Sequence, residues 1–304
     1  MKSSARVFIR RILGRRGTFL LRNILSEVFF RIKIYEDPRQ RPLGISAMTA
    51  TYNEEEWIEP SLLSIKDLVD EYIVIDSSTD RTPEIIEKVR DEHGLNIRLY
   101  KYPPGDLSII RNEILRLSSY RWILHWDGDF ILYEGSDKYI RSLVETLDPR
   151  RHYLIYWPWI RICGDLYHTC GEHVEHWLFT YSKQIHYKNL LVDGRPFDSL
   201  IAPLRLYKAI YIDKVLGLHI QVKNPVRYAV KHLWYLYRSE YNEISKRTKI
   251  SQEEFAKTKA LELYGTDNLE MIGRKLIEDF VKSLPRFNGD YPKILNKYLS
   301  KKDK

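Results

Sequence analysis

Between residues 44 and 132 short apolar runs alternate with segments of helical period. The runs at 44–51, 71–76, 96–100 and 121–126 are too short for helices and rich in β-branched and aromatic residues, so each reads as a buried strand. The intervening stretches 60–68, 83–91 and 106–118 read as helices. Pro60 is tolerable only near a helix start, and Thr82 followed by Pro83 reads as an N-cap and first helical position. Alternation at this spacing predicts a mostly parallel sheet with right-handed crossovers.

Beyond residue 132 the pattern changes. A helix is predicted at 136–147 and an aromatic strand at 153–162. The stretch 163–176 then alternates polar residues in the manner of a hairpin. From Pro225 the chain is helical: 226–238 carries an apolar face, Ser251-Gln252-Glu253-Glu254 is a capping box, and 268–284 is a further helix. Pro38 and Pro42 mark a linker into this body. The pattern divides the chain into an arm and linker (1–43), a body (44–224, in halves 44–132 and 133–224) and a helical extension (225–304).

Charge sharpens the picture of the arm. Residues 1–35 hold nine basic residues against one acid, Glu27, which accounts for the whole net charge of +8 and leaves residues 36–304 neutral. Apolar residues recur through it at broadly helical spacing, but no run reaches the ~20 apolar residues of a spanning helix. Arg22 and Glu27 interrupt the stretch and no small-residue cleavage site follows, against a signal peptide. Two readings stay open for the arm: a basic amphipathic helix on an anionic membrane surface, or a helix packed on the body with a solvated basic face. A neutral body argues against an extended nucleic-acid surface. Two cysteines, Cys163 and Cys170, suit a cytoplasmic protein without a disulfide scaffold.

The candidate chemistry lies at predicted strand ends. Thr51-Tyr52-Asn53-Glu54 closes the first strand, Asp76 to Asp80 the second, and Asp127-Gly128-Asp129 the fourth. Ligands of parallel sheets bind off the carboxyl ends of the strands, so these groups share one rim. Clustered carboxylates there need a positive partner, and a divalent cation suits hard oxygen ligands. No glycine-rich phosphate loop follows the first strand.

Four motifs, in order, carry a resemblance: Thr51-Tyr52-Asn53-Glu54, Asp76-Ser77-Ser78-Thr79-Asp80, Arg111-Asn112 and Asp127-Gly128-Asp129. Together they resemble the nucleotide-binding half of a family 2 glycosyltransferase. The departures are Ala50 in place of the usual Pro and Ser77 in place of the usual Gly, which puts the shape of that turn in question. The resemblance implies a GT-A, Rossmann-like α/β fold with a mostly parallel sheet flanked by helices, a mixed β region on the acceptor side and a helical C-terminal extension. It implies a metal-dependent, inverting, hexosyltransferase-type enzyme acting on a UDP- or GDP-sugar. By the same resemblance Thr51, Tyr52, Glu54, Asp76, Asp80, Arg111 and Asp127 contact the nucleotide, with Asp76 accepting from the base. Asp127 and Asp129 hold Mn2+ or Mg2+, and Arg111 either meets phosphate or braces the acidic rim.

Direct transfer needs a general base near the acceptor hydroxyl. Glu172 and Glu175 share the loop after Gly171 and are preferred over Asp165 and Asp198. His219 follows a stretch similar to the late strand of such transferases; it completes the metal site or is a satisfied strand-end histidine. Cys163, His168, Cys170, His173 and His176 invite a zinc reading, but their spacing matches no usual zinc pattern. The expected acceptor is a glycan or a lipid-linked or envelope saccharide, reached by a cytoplasmic protein resting peripherally on the inner face of the cell membrane. The alternatives are an inactive GT-A-like protein, or a membrane- or nucleic-acid-binding module using the basic arm.

Overall fold

The computed structural model describes residues 2–192, 195–245, 247–248 and 250–299; for 2–13, 15, 191–192 and 195–196 it describes the backbone alone. In chain order the elements are α1 (Lys2–Arg31), β1 (Ile45–Thr51), α2 (Ile58–Ser64), β2 (Glu71–Asp76), α3 (Thr82–His93), β3 (Ile97–Lys101), α4 (Leu107–Leu117), β4 (Trp122–His125), β5 (Phe130–Leu132) and α5 (Ser136–Thr146). There follow β6 (His152–Cys163), β7 (Thr169–Thr180), β8 (His186–Val192), β9 (Arg195–Ile201), β10 (Tyr207–Tyr211), β11 (Gly217–Gln221), α6 (Pro225–Leu236), α7 (Arg238–Ser245), α8 (Gln252–Tyr264), α9 (Leu269–Val281) and α10 (Asn296–Leu299).

Two compact units arise from this chain. The first comprises Met1–Trp159, His173–Leu218 and Tyr291–Lys304, the second Ile160–Glu172 and His219–Asp290. The main sheet runs β3-β2-β1-β4-β7-β6-β11-β5, with β10 beside β6. Its first four strands are parallel, and β7 enters antiparallel to β4.

The apolar runs of the first unit are continuous because the sheet is covered on both faces. Tyr72 and Val74 of β2 join Ile58, Leu62, Ile86, Val89 and Ile140 of α2, α3 and α5. Their neighbours Ile73 and Ile75 join Ile110, Ile114 and Leu115 of α4 on the other face. Helix α2 ends at Ser64, earlier than the predicted 68, because the chain turns through Leu68 N–H to the Ile65 carbonyl at 2.9 Å. Helix α3 begins one residue before expectation: Thr82 lies inside it, and its N–H and hydroxyl both donate to Asp80.

Helix α1 carries a break at Gly14, where φ is 62° and only glycine turns freely. Its second half is seated on the edge strand β10. The Asn23 amide donates to the Ala209 carbonyl at 3.0 Å and accepts from the Ala209 N–H at 2.7 Å, so it satisfies an edge that a further strand would otherwise take.

In the second unit α6, α8 and α9 meet through Ala229, Leu233, Ala256, Ala260, Leu269 and Ile272. The predicted capping box of α8 is formed, Ser251 Oγ accepting from Glu254 N–H at 3.1 Å while the Glu254 carboxylate accepts from Ser251 N–H at 2.9 Å. Cys163 and Cys170 are joined by a disulfide, with their Cα atoms 5.9 Å apart. The pairing departs from the sequence reading, in which the two cysteines suit a cytoplasmic chain without a disulfide scaffold, and it leaves neither sulfur as a thiol for a metal. In the first unit Lys297 of α10 pairs with Glu59 at 2.8 Å.

Candidate active site

The parallel register pairs Thr51 with Asp76, so the first two strand ends lie side by side. Asp76 is buried and accepts from Thr51 Oγ1 at 2.7 Å, Ser78 Oγ at 2.6 Å and Ser78 N–H at 3.2 Å. Buried carboxylates are stable only when hydrogen-bonded in this way. Asn53, in the left-handed region at φ 57°, accepts from Thr79 N–H at 2.8 Å and donates its own N–H to Ser78 Oγ. Ser77 takes the place of the expected glycine without a left-handed conformation, and its N–H donates to the Thr51 carbonyl. Asp80 serves the turn itself, accepting from the Thr82 hydroxyl at 2.6 Å, and Thr82 Oγ1 in turn accepts from Glu54 N–H at 2.8 Å. Tyr52 stands more exposed on the same turn.

The Asp127-Gly128-Asp129 loop is clamped at both ends by aromatic rings. Trp126 and Phe130 are fully buried and meet edge to face, and both contact Trp159, which stacks on Phe130 with ring centres 4.9 Å apart. Trp126 Nε1 donates to Ser61 Oγ at 2.9 Å, and Ser61 Oγ donates to the Asp127 carbonyl at 3.1 Å. Such rings bury large areas and fix the orientation of what they flank. A Cβ on Gly128 would lie 3.2 Å from Glu54 Cβ and Cγ, so the missing side chain lets Glu54 lie against the loop. The motif residues Glu54, Asp127 and Asp129 are thereby brought to one place.

Arg111 organises the charge. It is buried on α4 and pairs with Asp127 at 3.2 Å and with Asp198 of β9 at 2.9 Å. One of its terminal nitrogens lies against the His125 ring, and the guanidinium sits 5.4 Å over the Tyr187 ring. Burial works to raise the Asp127 pKa, but Arg111 and His125 prevail and hold it at about 2. Burial, reinforced by Arg111, pushes His125 below the ordinary histidine value, so it is neutral near pH 7. Arg111 thus stands between two carboxylates, Asp127 and Asp198. Asn112, the second residue of its motif, fixes the β8–β9 hairpin by bonding both main-chain groups of Tyr187.

The remaining sites are dispersed. Asp198 belongs to this cluster through Arg111. Glu175 lies on β7 with His176 Nδ1 at 3.2 Å. Glu172 is exposed on the same strand, in the second unit. Asp165 there closes the β6–β7 turn, accepting from Tyr167 N–H at 2.7 Å, with His168 Nδ1 at 2.8 Å. His219, also in the second unit, has its Nε2 3.4 Å from Gln221 Nε2.

His125 and Tyr187 escaped sequence reasoning. His125 had a signal, being the last strand residue before the carboxylate loop. Tyr187 had none, since it meets His125 from 62 positions along the chain.

Among the described residues no three His, Cys, Asp or Glu side chains gather as a metal cage. The carboxylate pair at 127 and 129 instead suits a cation shared with a diphosphate, because Mg2+ and its like are usually held by one or two carboxylates plus phosphate oxygens. Asp127 is engaged by Arg111, while Asp129 is buried in the same loop at 8% exposure.

The chain is similar to poly-beta-1,6-N-acetyl-D-glucosamine synthase of Staphylococcus epidermidis, 28% identical over 123 residues that cover 38% of this chain and 29% of that protein. It is similar also to the poly(ribitol-phosphate) beta-N-acetylglucosaminyltransferase TarS of Staphylococcus aureus, 31% identical over 111 residues covering 34% and 18%. The chain thus spans less than a third of the length of these curated relatives. A solved mannosyltransferase of Pyrobaculum calidifontis, in complex with GDP-Man and Mn2+, aligns over 97% of this chain and 90% of that one at 15% identity, with a TM-score of 0.38. The family model for glycosyl transferase family 2 matches residues 46–216, from β1 to the residue before β11. That match takes in more than half of the chain and all four motifs, and the chain belongs to glycosyl transferase family 2.

Proposed function

We propose that the chain moves a sugar from a UDP- or GDP-linked donor to an acceptor hydroxyl with inversion, and that Asp129 holds the Mn2+ or Mg2+ that accompanies the donor diphosphate. The observation that carries this reading is the single rim made by Asp76, Glu54 and the Asp127-Gly128-Asp129 loop, clamped by Trp126 and Phe130. When bound, such a cation neutralises the charge that develops on a diphosphate leaving group. The chain's own residues have separate tasks. Asp76 accepts from the base, Glu54 meets the nucleoside, and Asp127, kept ionised by Arg111, is aimed at the ribose or the cation.

In this reading residues 44–132 hold the donor, 133–224 the acceptor and 225–304 form an extension. Glu172 and Glu175, both on β7, are the preferred base candidates. Asp198 is less suited, because its carboxylate already faces Arg111 at 2.9 Å. The acceptor is a glycan, lipid-linked or part of the cell envelope, approached from the inner membrane face.

The test is release of nucleotide from UDP-GlcNAc and GDP-Man by the full chain. The first donor is chosen because the names of both curated relatives speak of N-acetylglucosamine, the second to sample the guanine series. Release that needs Mn2+ or Mg2+, and that falls by about 100-fold or more in Asp129→Ala, is the expected result. Activity that persists in EDTA contradicts the metal assignment.

A further inference from the structure

The second half of α1 is anchored to the first unit by one face. There Arg22 is buried and reaches the Ala202 and Pro203 carbonyls at 3.3 Å, Asn23 bonds Ala209, Ser26 is buried, and Phe19 meets Tyr156 edge to face. The outward face is aliphatic. Leu20, Ile24 and Val28, followed by Ile32 in the next turn, are between 48 and 63% exposed. Steps of four keep these side chains on one stripe, about 18 Å long at the helical rise. Single exposed aliphatic residues need no explanation, but a contiguous stripe marks a contact surface.

Charge identifies what the stripe contacts. Arg16, Arg31 and Lys33 are exposed around it. The one acid of residues 1–35, Glu27, is taken up by Arg31 and Arg151, each at 2.7 Å. The stripe is therefore flanked by exposed cations, and the one acid of residues 1–35 is engaged by two arginines. A second copy would bring another arm of charge +8 against the first, which like-charge repulsion disfavours. An anionic lipid surface satisfies both features, since aliphatic side chains enter the acyl boundary while the cations stay at the headgroups. Among the described residues no helix is long and apolar enough to cross a membrane, so the contact lies in the plane of the leaflet.

We infer that α1 docks the protein on an anionic leaflet through Leu20, Ile24, Val28 and Ile32, with Arg16, Arg31 and Lys33 at the headgroups. This deepens the membrane approach proposed above by naming the face, and it stands apart from the transfer chemistry.

Co-sedimentation of the full chain with phosphatidylcholine vesicles, with and without phosphatidylglycerol, tests it. Binding should require phosphatidylglycerol and weaken with salt. The pair Ile24→Glu and Val28→Glu should weaken it about tenfold or more at unchanged melting temperature, because both side chains face outward. The pair Arg16→Gln and Lys33→Gln should reduce the salt dependence. Asp129→Ala should bind vesicles as the parent does, which separates failure of this inference from failure of the transferase reading. Absence of vesicle binding, binding indifferent to both substituted pairs, or a dimer in sedimentation that the glutamates dissociate would each overturn it.

Discussion

At Asp127 burial and the Arg111 guanidinium pull in opposite directions, and the guanidinium wins. Because the folded pKa is depressed from 3.8 to about 2, ionised Asp127 stabilises the fold above the ordinary value, and the effect fades as pH falls through about 2. Arg111→Met leaves His125 alone to oppose burial at Asp127 and removes the Arg111 partner of Asp198. The expected outcome is a loss of about 1–3 kcal/mol, the cost of leaving part-buried charged groups without their partner, with an acid limb of stability and donor binding that moves to higher pH. Melting and donor titrations across pH check this; superimposable profiles for parent and variant would contradict it. The residues of this cluster that were readable from sequence are those with a local signature, Arg111-Asn112 and Asp127-Gly128-Asp129. Asp198 was weighed only as a base, because nothing near it along the chain announces Arg111 as its partner.

At the scale of elements, the strands and helices from β1 to β4 were legible because each has its own periodicity and its own punctuation. Asp106 caps α4 as the boundary at 106 implied, and Asn268 caps α9. The β8–β9 hairpin was missed. Its strands lack clean alternation, with Lys188 beside Asn189 and Asp198 beside Ser199, and the hairpin is attached to α4 through Asn112 to Tyr187 and Asn189 to Asp106. Packing of α1 on the body was one of the two readings left open for the arm, but its attachment through Arg22 and Asn23 was hidden, since their partners lie some 180 positions along the chain. Asn23→Leu keeps the volume of the side chain but strands the Ala209 N–H and carbonyl on the edge strand. It should cost about 1–3 kcal/mol, read as a lowered denaturant midpoint with an unchanged slope; a midpoint equal to the parent's would remove the edge-capping role.

Over the whole molecule, charge and burial set how the fold answers to pH. His152 is buried, with its ring nitrogens 3.1 Å from Thr180 Oγ1 and from the Glu36 carbonyl oxygen, and burial lowers its pKa to about 4. Between 6.5 and about 4 the unfolded chain binds the extra proton, so stability is lost as pH falls through that window, by up to about 3 kcal/mol. His125 is shifted in the same direction and adds to the trend. His152→Gln should flatten the dependence, and an unaltered slope between pH 7 and 4 would refute the assignment. The confinement of net charge to the arm was readable at once from composition, because it needs no geometry. The division into two units was not, because β6, β7 and β11 each carry the chain from one to the other. The central claim is a donor site at the Asp127-Gly128-Asp129 loop that takes a nucleotide with its cation. The most direct measurement is thermal melting with UDP, GDP and CDP, each with and without Mn2+, since a ligand that binds the folded state alone raises its stability by mass action. The expected result is a rise with UDP or GDP that needs Mn2+ and disappears in Asp129→Ala; a melting temperature indifferent to metal with every nucleotide would refute the donor site.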